Sequence, residues 1–246
     1  MSRSEVIRFL VLRSVGNFLV LVALYGVFAT FGPAVIFQIK YELLKIRGVH
    51  FAVVNQQTVT SKQLPSPKSL QLVKQQVIKN KRGPGFIDIL VGNKEQILTP
   101  IDPLFSILIP KLAIDERVVS NVSTDDPNSY LPVLQHAIAH AKGSVFPGDP
   151  GTTYLFAHSA DNWWDIEHYN AVFYTLSNLS VGDEIDIFYE SRRYKYVILQ
   201  QIISDPQDVT FLTEKHEGPQ QLVLQTCWPP GTTWKRLYIV AKPKSV

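Results

Sequence analysis

The stretch that decides the fold lies near the C-terminus and reads LVLQTC at residues 222–227, WPPGTT at 228–233 and WKRLYIVA at 234–241. The two outer runs are rich in β-branched and aromatic residues, which is typical of strands, and the proline and glycine between them are typical of a turn. We therefore predict two neighbouring strands in one sheet. Such a pair brings Cys227 and Arg236, nine positions apart, to the same end of the sheet.

Cys227 is the only cysteine of the chain, so it forms no internal disulfide and belongs to no CxxC metal site. A free cysteine is either a small buried apolar residue or a reactive thiol. Alternation of side chains along the strand puts Cys227 on one face with Gln225, and Arg236 on an apolar face with Tyr238. An arginine there is costly unless it is paired or directed at an opening. Structural roles for both residues stay open at this point.

One histidine ends a strand-like run. The sequence TTYLFAH at residues 152–158 reads as a strand ending on His158, after which the chain turns into SADNWWD. Strand ends and their loops are where rigid scaffolds present catalytic groups. A thiolate nucleophile, a histidine that titrates near neutral pH and an arginine that stabilises negative charge together suit acyl transfer.

The other histidines fit that role less well. His136 and His140 lie four positions apart in SYLPVLQHAIAHAKG, residues 129–143, which we predict to be a helix closed by Gly143. They form no HExxH arrangement, so metal binding by this pair has little support. His158 is the best partner for Cys227, by elimination.

Composition favours a β-rich protein. The 246 residues are 46% hydrophobic, which suffices for one ordinary domain plus extra segments. Sixteen prolines and thirteen glycines separate short strand-like runs, which indicates an antiparallel sandwich or a closed barrel. The net charge of +3 comes without dense basic runs, so the sequence does not support nucleic-acid binding.

The N-terminal part has a different character. Residues 14–39 carry no charge, and as a helix they would span about 39 Å, more than the roughly 30 Å hydrocarbon core of a bilayer. A cleaved signal peptide usually has a shorter apolar region, so we predict a retained transmembrane anchor. Residues 1–13 precede it, residues 40–99 form a membrane-proximal linker region with strands at 51–60 and 86–91, and the main domain follows over 100–246.

From about residue 105 to 242, the motifs resemble those of the sortase family of cysteine transpeptidases. LVLQTC resembles the family's TLxTC strand, and YLFAH resembles the strand before its catalytic histidine, with Ala157 in place of the usual glycine. IPKLAI, FPGDPGTTYLFAH and LSNLSVGDEIDIFY follow the family order. The family pattern CxPxG-x-x-x-x-R is matched by Cys227, Pro229, Gly231 and Arg236.

The resemblance implies a mainly β fold, the family's eight-stranded β-barrel with short helices, preceded by one N-terminal transmembrane helix. It implies Cys227 as the nucleophile, His158 as the acid/base, and Arg236 as the oxyanion or substrate-positioning group. Thr226 and Gln225, beside the cysteine, are candidate substrate-binding residues. Residues 204–221 lie where the family's substrate-selecting loop lies.

No metal site or cofactor is predicted. Calcium occurs in some relatives of this family, and the candidate ligands are the acidic residues Asp115, Glu116, Asp125, Asp126, Asp205 and Asp208. We prefer to interpret them as solvated acidic loop positions, so calcium is a candidate without support.

By resemblance, the protein cleaves an LPxTG-like C-terminal sorting motif between Thr and Gly and holds the acyl chain as a thioester on Cys227. An amine of a cell-wall precursor or a pilin lysine then resolves the thioester. The implied location is the bacterial cytoplasmic membrane, with residues 1–13 cytoplasmic, a single-pass anchor and an extracellular catalytic domain. The alternatives are a hydrolytic cysteine peptidase and a catalytically silent barrel that binds sorting peptides or anchors a surface complex. An L,D-transpeptidase is disfavoured because its SHGC-type motif is absent.

Overall fold

The architecture is a closed β-barrel with a long N-terminal helix, seen in a computed structural model that describes residues 3–48, 50–53, 95–159, 172–208, 210, 218–230 and 232–244. Eight strands form the barrel, and two more form a separate parallel pair. The prediction of an eight-stranded barrel is therefore confirmed. The strands are β1 (His50–Val53), β2 (Glu95–Leu98), β3 (Phe105–Ile109), β4 (Ile114–Val122), β5 (Ile138–Ala141), β6 (Thr152–Phe156), β7 (Glu184–Tyr189), β8 (Arg192–Ser204), β9 (Gln221–Trp228) and β10 (Lys235–Pro243). The helices are α1 (Arg3–Arg47) and α2 (Pro127–Leu134), with short 3-10 turns at Pro110–Leu112 and Leu176–Asn178.

The barrel order is β10-β8-β7-β3-β4-β5-β6-β9, closed by the pairing of β9 with β10. Most neighbours are antiparallel, but β4 pairs with β5 and β6 pairs with β9 in parallel. Alternating aliphatic residues fill the main core, among them Ile107, Ile109, Leu155, Leu222 and Leu224. Since alternate residues of a strand point to opposite faces, the residues between them are directed to the outer face of the barrel wall.

The helix predicted over residues 129–143 is wrong in its second half. α2 begins after Asp126, whose carboxylate accepts the backbone N–H of Asn128 at 3.0 Å, and ends at Leu134. The chain then enters β5, whose four residues are all buried between β4 and β6. The backbone of this short apolar run forms strand hydrogen bonds with β4 on one side and β6 on the other. This tertiary pairing overrides the local preference for a helix. Gly143, at φ +89°, belongs to the turn after β5 and caps no helix.

His136 and His140 consequently share no helix face. His136 lies exposed after α2, whereas His140 is fully buried in β5. The Nδ1 atom of His140 accepts the backbone N–H of Asn121 at 3.3 Å, and Nε2 lies 3.1 Å from the carbonyl oxygen of Val145. Its ring stacks on Phe146 with centroids 4.7 Å apart. His140 is thus part of the packing, in a strand that β6 separates from β9.

α1 contains the whole of the predicted 14–39 segment and continues to Arg47. Within it, Arg3–Phe28 is long and apolar enough to cross a membrane, with mean hydropathy 1.9, and its side chains are not covered by the protein. At the other end of α1, Leu44 is buried against Ala113 and Tyr41 packs against the main core. The long helix therefore ends in contact with the barrel.

Part of the region predicted as a membrane-proximal linker also packs on the barrel. Phe51 and Val53 of β1, with Leu98 of β2, cover Leu108 and Phe188 on the outer face. β1 coincides with the start of the strand predicted at residues 51–60. The rest of that run, and the strand predicted at 86–91, lie outside the described residues.

A buried ion pair lies near this contact. Asp186 accepts two hydrogen bonds from Arg193, each 2.8 Å, from Nε and Nη2. Arg193 Nη1 also reaches the carbonyl oxygen of Val53 at 3.4 Å. The Asp186 side chain is 1% exposed and that of Arg193 is 12% exposed. Because both groups are shielded from water, removing one of them leaves the other as an uncompensated buried charge, which destabilises the fold.

We expect Arg193→Ala to lower the free energy of unfolding by about 3–5 kcal/mol, because it leaves the Asp186 carboxylate buried and uncompensated. Chemical denaturation of the full chain in detergent measures the loss. The control is Arg117→Ala, since Arg117 is 60% exposed and pairs with Asp102 at 3.0 Å; it should cost about 0–1 kcal/mol. Equal losses of unfolding free energy in the two variants would show that the buried pair stabilises the fold no more than the exposed pair does.

Candidate active site

Cys227 and Arg236 face each other across two strands. In the antiparallel ladder of β9 and β10, Arg236 is the direct partner of Cys227. Arg236 Nη1 lies 3.5 Å from the Cys227 sulfur and 3.2 Å from each of the carbonyl oxygens of Thr233 and Lys235. The two carbonyl groups hold the guanidinium near the thiol. The prediction that the WPPGTT turn joins neighbouring strands, with both residues at one end, is confirmed.

His158 lies at the end of the strand on the other side of β9. β6 and β9 run parallel with Phe156 opposite Gln225. The ladder extends beyond β6, because the Ala157 N–H donates to the Gln225 carbonyl at 3.2 Å and the Thr226 hydroxyl donates to the Ala157 carbonyl at 3.0 Å. Continuing this register by one residue places His158 alongside Cys227. The structure therefore brings the backbone positions of all three predicted catalytic residues to one end of three adjacent strands.

Cys227 and Arg236 share a sheet face. Alternation along the strands groups Cys227 with Val223 and Arg236 with Tyr238. Val223, Tyr154 and Tyr238 belong to one small cluster that is separate from the main core. The candidate site is therefore on the outer face of the barrel wall, and Cys227 and His158 are both partly exposed.

The two candidate substrate-binding residues differ in position. Gln225 is partly exposed on the Cys227 face, and its side-chain oxygen accepts a hydrogen bond from the Tyr154 hydroxyl at 2.5 Å. Thr226 is 3% exposed, and its hydroxyl is bonded to the Ala157 carbonyl. Gln225 is therefore accessible from the surface, whereas Thr226 joins β9 to β6.

Two effects act on the pKa of the Cys227 thiol in opposite directions. Burial raises the pKa of Cys227, and the positive charge of Arg236 acts in the opposite direction without cancelling it. A raised pKa means that the neutral thiol predominates at pH 7. Ionisation of the sulfur therefore requires a base or the arrival of a ligand.

Most of the six acidic residues considered as calcium ligands have other partners. Asp115 accepts the Ile101 N–H at 3.0 Å, Asp126 caps α2, and Asp205 pairs with Lys235. Asp208 accepts hydrogen bonds from Ser204 and Thr210. Among the described residues, no group of three or more His, Cys, Asp or Glu side chains could hold a metal ion.

Glu116 gives a pH-dependent prediction. Burial, followed by the charge of Asp115, raises the pKa of Glu116 to about 7. The folded state therefore holds this proton more tightly than the unfolded chain, and the free energy of unfolding falls as pH rises from about 4.5 to 7. We expect Glu116→Gln to stabilise the protein by about 2 kcal/mol at pH 8 and to have little effect at pH 4.

Denaturation of both proteins at the two pH values measures this difference. The matched control is Glu184→Gln, because the hydrogen bond from Lys244 lowers the pKa of Glu184. That variant should gain no stability at pH 8. A Glu116→Gln gain that is equal at both pH values would contradict the assignment.

Sequence patterns did not single out two tyrosines that lie behind the candidate site. Tyr154 is 0% exposed and Tyr238 is 2% exposed, and both carry hydrogen-bonded hydroxyls on the Cys227 face. The available signal was their even spacing from candidate site residues: Tyr238 follows Arg236 by two positions, and Tyr154 precedes His158 by four. Their hydrogen-bond partners are distant in sequence, so spacing alone could not reveal the contacts.

The chain is similar in sequence to known proteins. A family model for the sortase domain matches residues 107–244, more than half of the chain. Sortase D of Bacillus subtilis (strain 168) is 27% identical over 137 residues, which are 54% of this chain and 60% of that protein. The match thus covers less than two thirds of that relative's length.

Solved structures are also similar. Sortase C1 from Streptococcus agalactiae is 26% identical, with a TM-score of 0.46, over 57% of this chain and 67% of that one. A sortase D5 transpeptidase from Clostridium perfringens is 20% identical, with a TM-score of 0.46, over 71% of this chain and 89% of that one.

Proposed function

The chain belongs to the sortase family, and on that premise we propose that it is a cysteine transpeptidase with Cys227 as nucleophile, His158 as acid/base and Arg236 as the group that stabilises the oxyanion or positions the substrate. The observation that carries this proposal is the pairing of Arg236 with Cys227, at 3.5 Å, next to β6, which ends two residues before His158. The proposed substrates are surface proteins that bear an LPxTG-like C-terminal sorting motif.

The first half of the proposed reaction forms a thioester. His158 takes the proton of the Cys227 thiol, and the sulfur attacks the carbonyl carbon of the threonine in the motif. Arg236 stabilises the negative charge on the carbonyl oxygen. The C–N bond to glycine then breaks, and His158 gives the proton to the leaving amine.

The second half consumes the thioester. An acceptor amine, from a cell-wall precursor or a pilin lysine, loses a proton to His158 and attacks the thioester carbonyl. The C–S bond breaks, a new amide forms, and the Cys227 sulfur recovers its proton. Each half therefore exchanges one acyl bond and returns His158 to its starting protonation state, and the two halves together restore the Cys227 thiol.

We further propose that residues 14–39 of α1 anchor the protein in the bacterial cytoplasmic membrane, with residues 1–13 inside the cell and residues 100–246 outside. Support comes from the apolar character of α1, since Arg3–Phe28 satisfies the length and composition needed to span a bilayer. A membrane location also suits substrates that are displayed at the cell surface.

A direct test incubates the full chain in detergent with a pool of LPxTG-like peptides, with and without an added amine. Intact mass spectrometry should detect an acyl adduct on Cys227 that the amine converts into a transpeptidation product. An adduct lost only to water would indicate a hydrolytic peptidase. No adduct, together with a thiol that resists alkylating agents, would indicate a silent peptide-binding barrel and overturn the proposal.

A further inference from the structure

Two buried tyrosine hydroxyls lie directly behind the candidate site. Tyr154 and Tyr238 pack in the small cluster on the Cys227 face with Val223, Val240 and Ala141. Phenylalanine would fill the same volume without a polar group. A buried hydroxyl is costly unless it is hydrogen-bonded, so the partners of these hydroxyls indicate what the oxygens do.

The first hydroxyl orients a residue of the site. Tyr154 donates to the side-chain oxygen of Gln225 at 2.5 Å. Because that oxygen accepts from the protein interior, the amide NH2 group of the partly exposed Gln225 is directed away from Tyr154. Gln225 precedes Cys227 by two residues on the same face, about 7 Å along the strand. It therefore presents a donor at a fixed distance from the sulfur.

The second hydroxyl holds the segment that follows β8. Tyr238 donates to the backbone carbonyl of Asp208 at 3.0 Å. The Asp208 carboxylate in turn accepts the hydroxyl of Ser204 and the backbone N–H of Thr210. A further contact, between Asp205 and Lys235, joins the same segment to β10. Residues 204–208 are thus attached to β10 on both sides of Arg236.

The two hydroxyls and the Arg236 guanidinium form one electrostatic network. The Tyr154 hydroxyl lies close enough to Tyr238 for the two to interact electrostatically. Burial raises the pKa of both phenols, and the nearby charge of Arg236 opposes that rise in each. Arg236 Nη1 lies 3.5 Å from the Cys227 sulfur, and the two hydroxyls that feel its charge bond Gln225 on one side and Asp208 on the other.

We propose that Tyr154 and Tyr238 are positioning residues for the peptide substrate. Tyr154 orients the Gln225 amide to donate to a carbonyl group of the peptide two residues away from the scissile carbonyl, since an extended peptide has the same rise per residue as the strand. Tyr238 holds residues 204–208 beside that position. This inference rests on the proposed function, because it assigns the network to the same peptide.

The expected kinetic signature is a change in substrate binding. A contact made equally in the ground state and the transition state changes KM and leaves kcat unchanged. Loss of one such hydrogen bond corresponds to a change of about three- to tenfold. We expect Tyr154→Phe, Tyr238→Phe and Gln225→Leu each to raise KM by about that factor, with kcat within about twofold of wild type.

The matched control is Tyr196→Phe. Tyr196 is also 0% exposed and its hydroxyl accepts a hydrogen bond from Gln220 at 3.0 Å, but it lies in the main core on the opposite face. All variants are measured as full chains in detergent with the peptide that the wild-type protein cleaves best. Tyr196→Phe should lose stability and keep its KM. A rise in KM in the control equal to that in the two tyrosine variants, or no rise in any of them, overturns the proposal.

A second readout does not depend on turnover. Amide hydrogen exchange over residues 204–208 should accelerate by at least about threefold in Tyr238→Phe and stay unchanged in Tyr196→Phe. Unchanged exchange in Tyr238→Phe overturns the role of that hydroxyl in holding the segment. If wild-type protein forms no acyl adduct, the proposed function fails, and the exchange result alone then decides whether the network orders residues 204–208.

Discussion

Replacing Cys227 with alanine should abolish the acyl adduct and lower peptide cleavage by about 10⁴-fold or more, as removal of a nucleophile does in other acyl-transfer enzymes. The physical reason is that the alanine has no nucleophilic atom to attack the carbonyl. Intact mass spectrometry and product formation measure the two effects. Thermal unfolding should show that the fold is retained, because Cys227 is only partly buried.

The informative control retains a smaller nucleophile at the same place. Cys227→Ser keeps a hydroxyl of similar shape, but its oxygen ionises far less readily than sulfur and remains a weak nucleophile. It should also lose nearly all cleavage while still binding the peptide. Unchanged cleavage by Cys227→Ala would show that the nucleophile lies elsewhere.

Arg236→Ala should lower kcat/KM by about 10²–10³-fold, the usual cost of removing one oxyanion donor. Arg236→Lys keeps the charge but loses the planar fork, so it should recover only part of the activity. Steady-state kinetics with a sorting-motif peptide measures both. Arg192→Ala serves as the control, because Arg192 is exposed at the start of β8, at the opposite end of the barrel. Full activity in Arg236→Lys would exclude a role that needs the guanidinium geometry.

Arg236→Ala should also change how the reactivity of the Cys227 thiol toward alkylating agents depends on pH. Arg236 opposes the burial that raises the pKa of Cys227, so its removal should raise that pKa further and shift the alkylation midpoint to higher pH. The rate at pH 7 should therefore fall, since only the thiolate reacts. Alkylation followed by mass between pH 6 and 10 measures the shift. An unchanged midpoint would mean that Arg236 lies too far from the sulfur to stabilise the thiolate, and a shift to lower pH would contradict the expected sign.

The fold was predictable where strands are adjacent in sequence. β9 and β10 follow from period-two patterning and from the turn residues between them, and their register pairs Arg236 with Cys227. β5 was not predictable in the same way, because IAHA has no strand signature of its own. Its conformation depends on the space between β4 and β6. The residues alone left sandwich and barrel as alternatives, and only the resemblance favoured a closed barrel.

The candidate site was likewise predictable only where its residues are close in sequence. Cys227 and Arg236 come together through a local hairpin, so the sequence indicated their proximity. His158 reaches them through parallel pairing of β6 with β9, which sequence patterning does not specify, and it was chosen by elimination. The contacts of Tyr154 with Gln225 and of Tyr238 with Asp208 join positions 71 and 30 residues apart, so no local pattern could have shown them.

The parallel pairing of β6 with β9 also bears on the order in which the chain folds. The thiol and the guanidinium belong to a hairpin with short loop closure, whereas His158 joins them only when segments about 70 residues apart meet. Contacts of such long range are slow to form, because loop-closure entropy is lost before they contribute stability. A newly synthesised chain can therefore bring the Cys227 sulfur to Arg236 before His158 is in place beside them. Peptide-cleaving ability should emerge late in refolding, after the fluorescence and secondary-structure signals of the hairpin have developed.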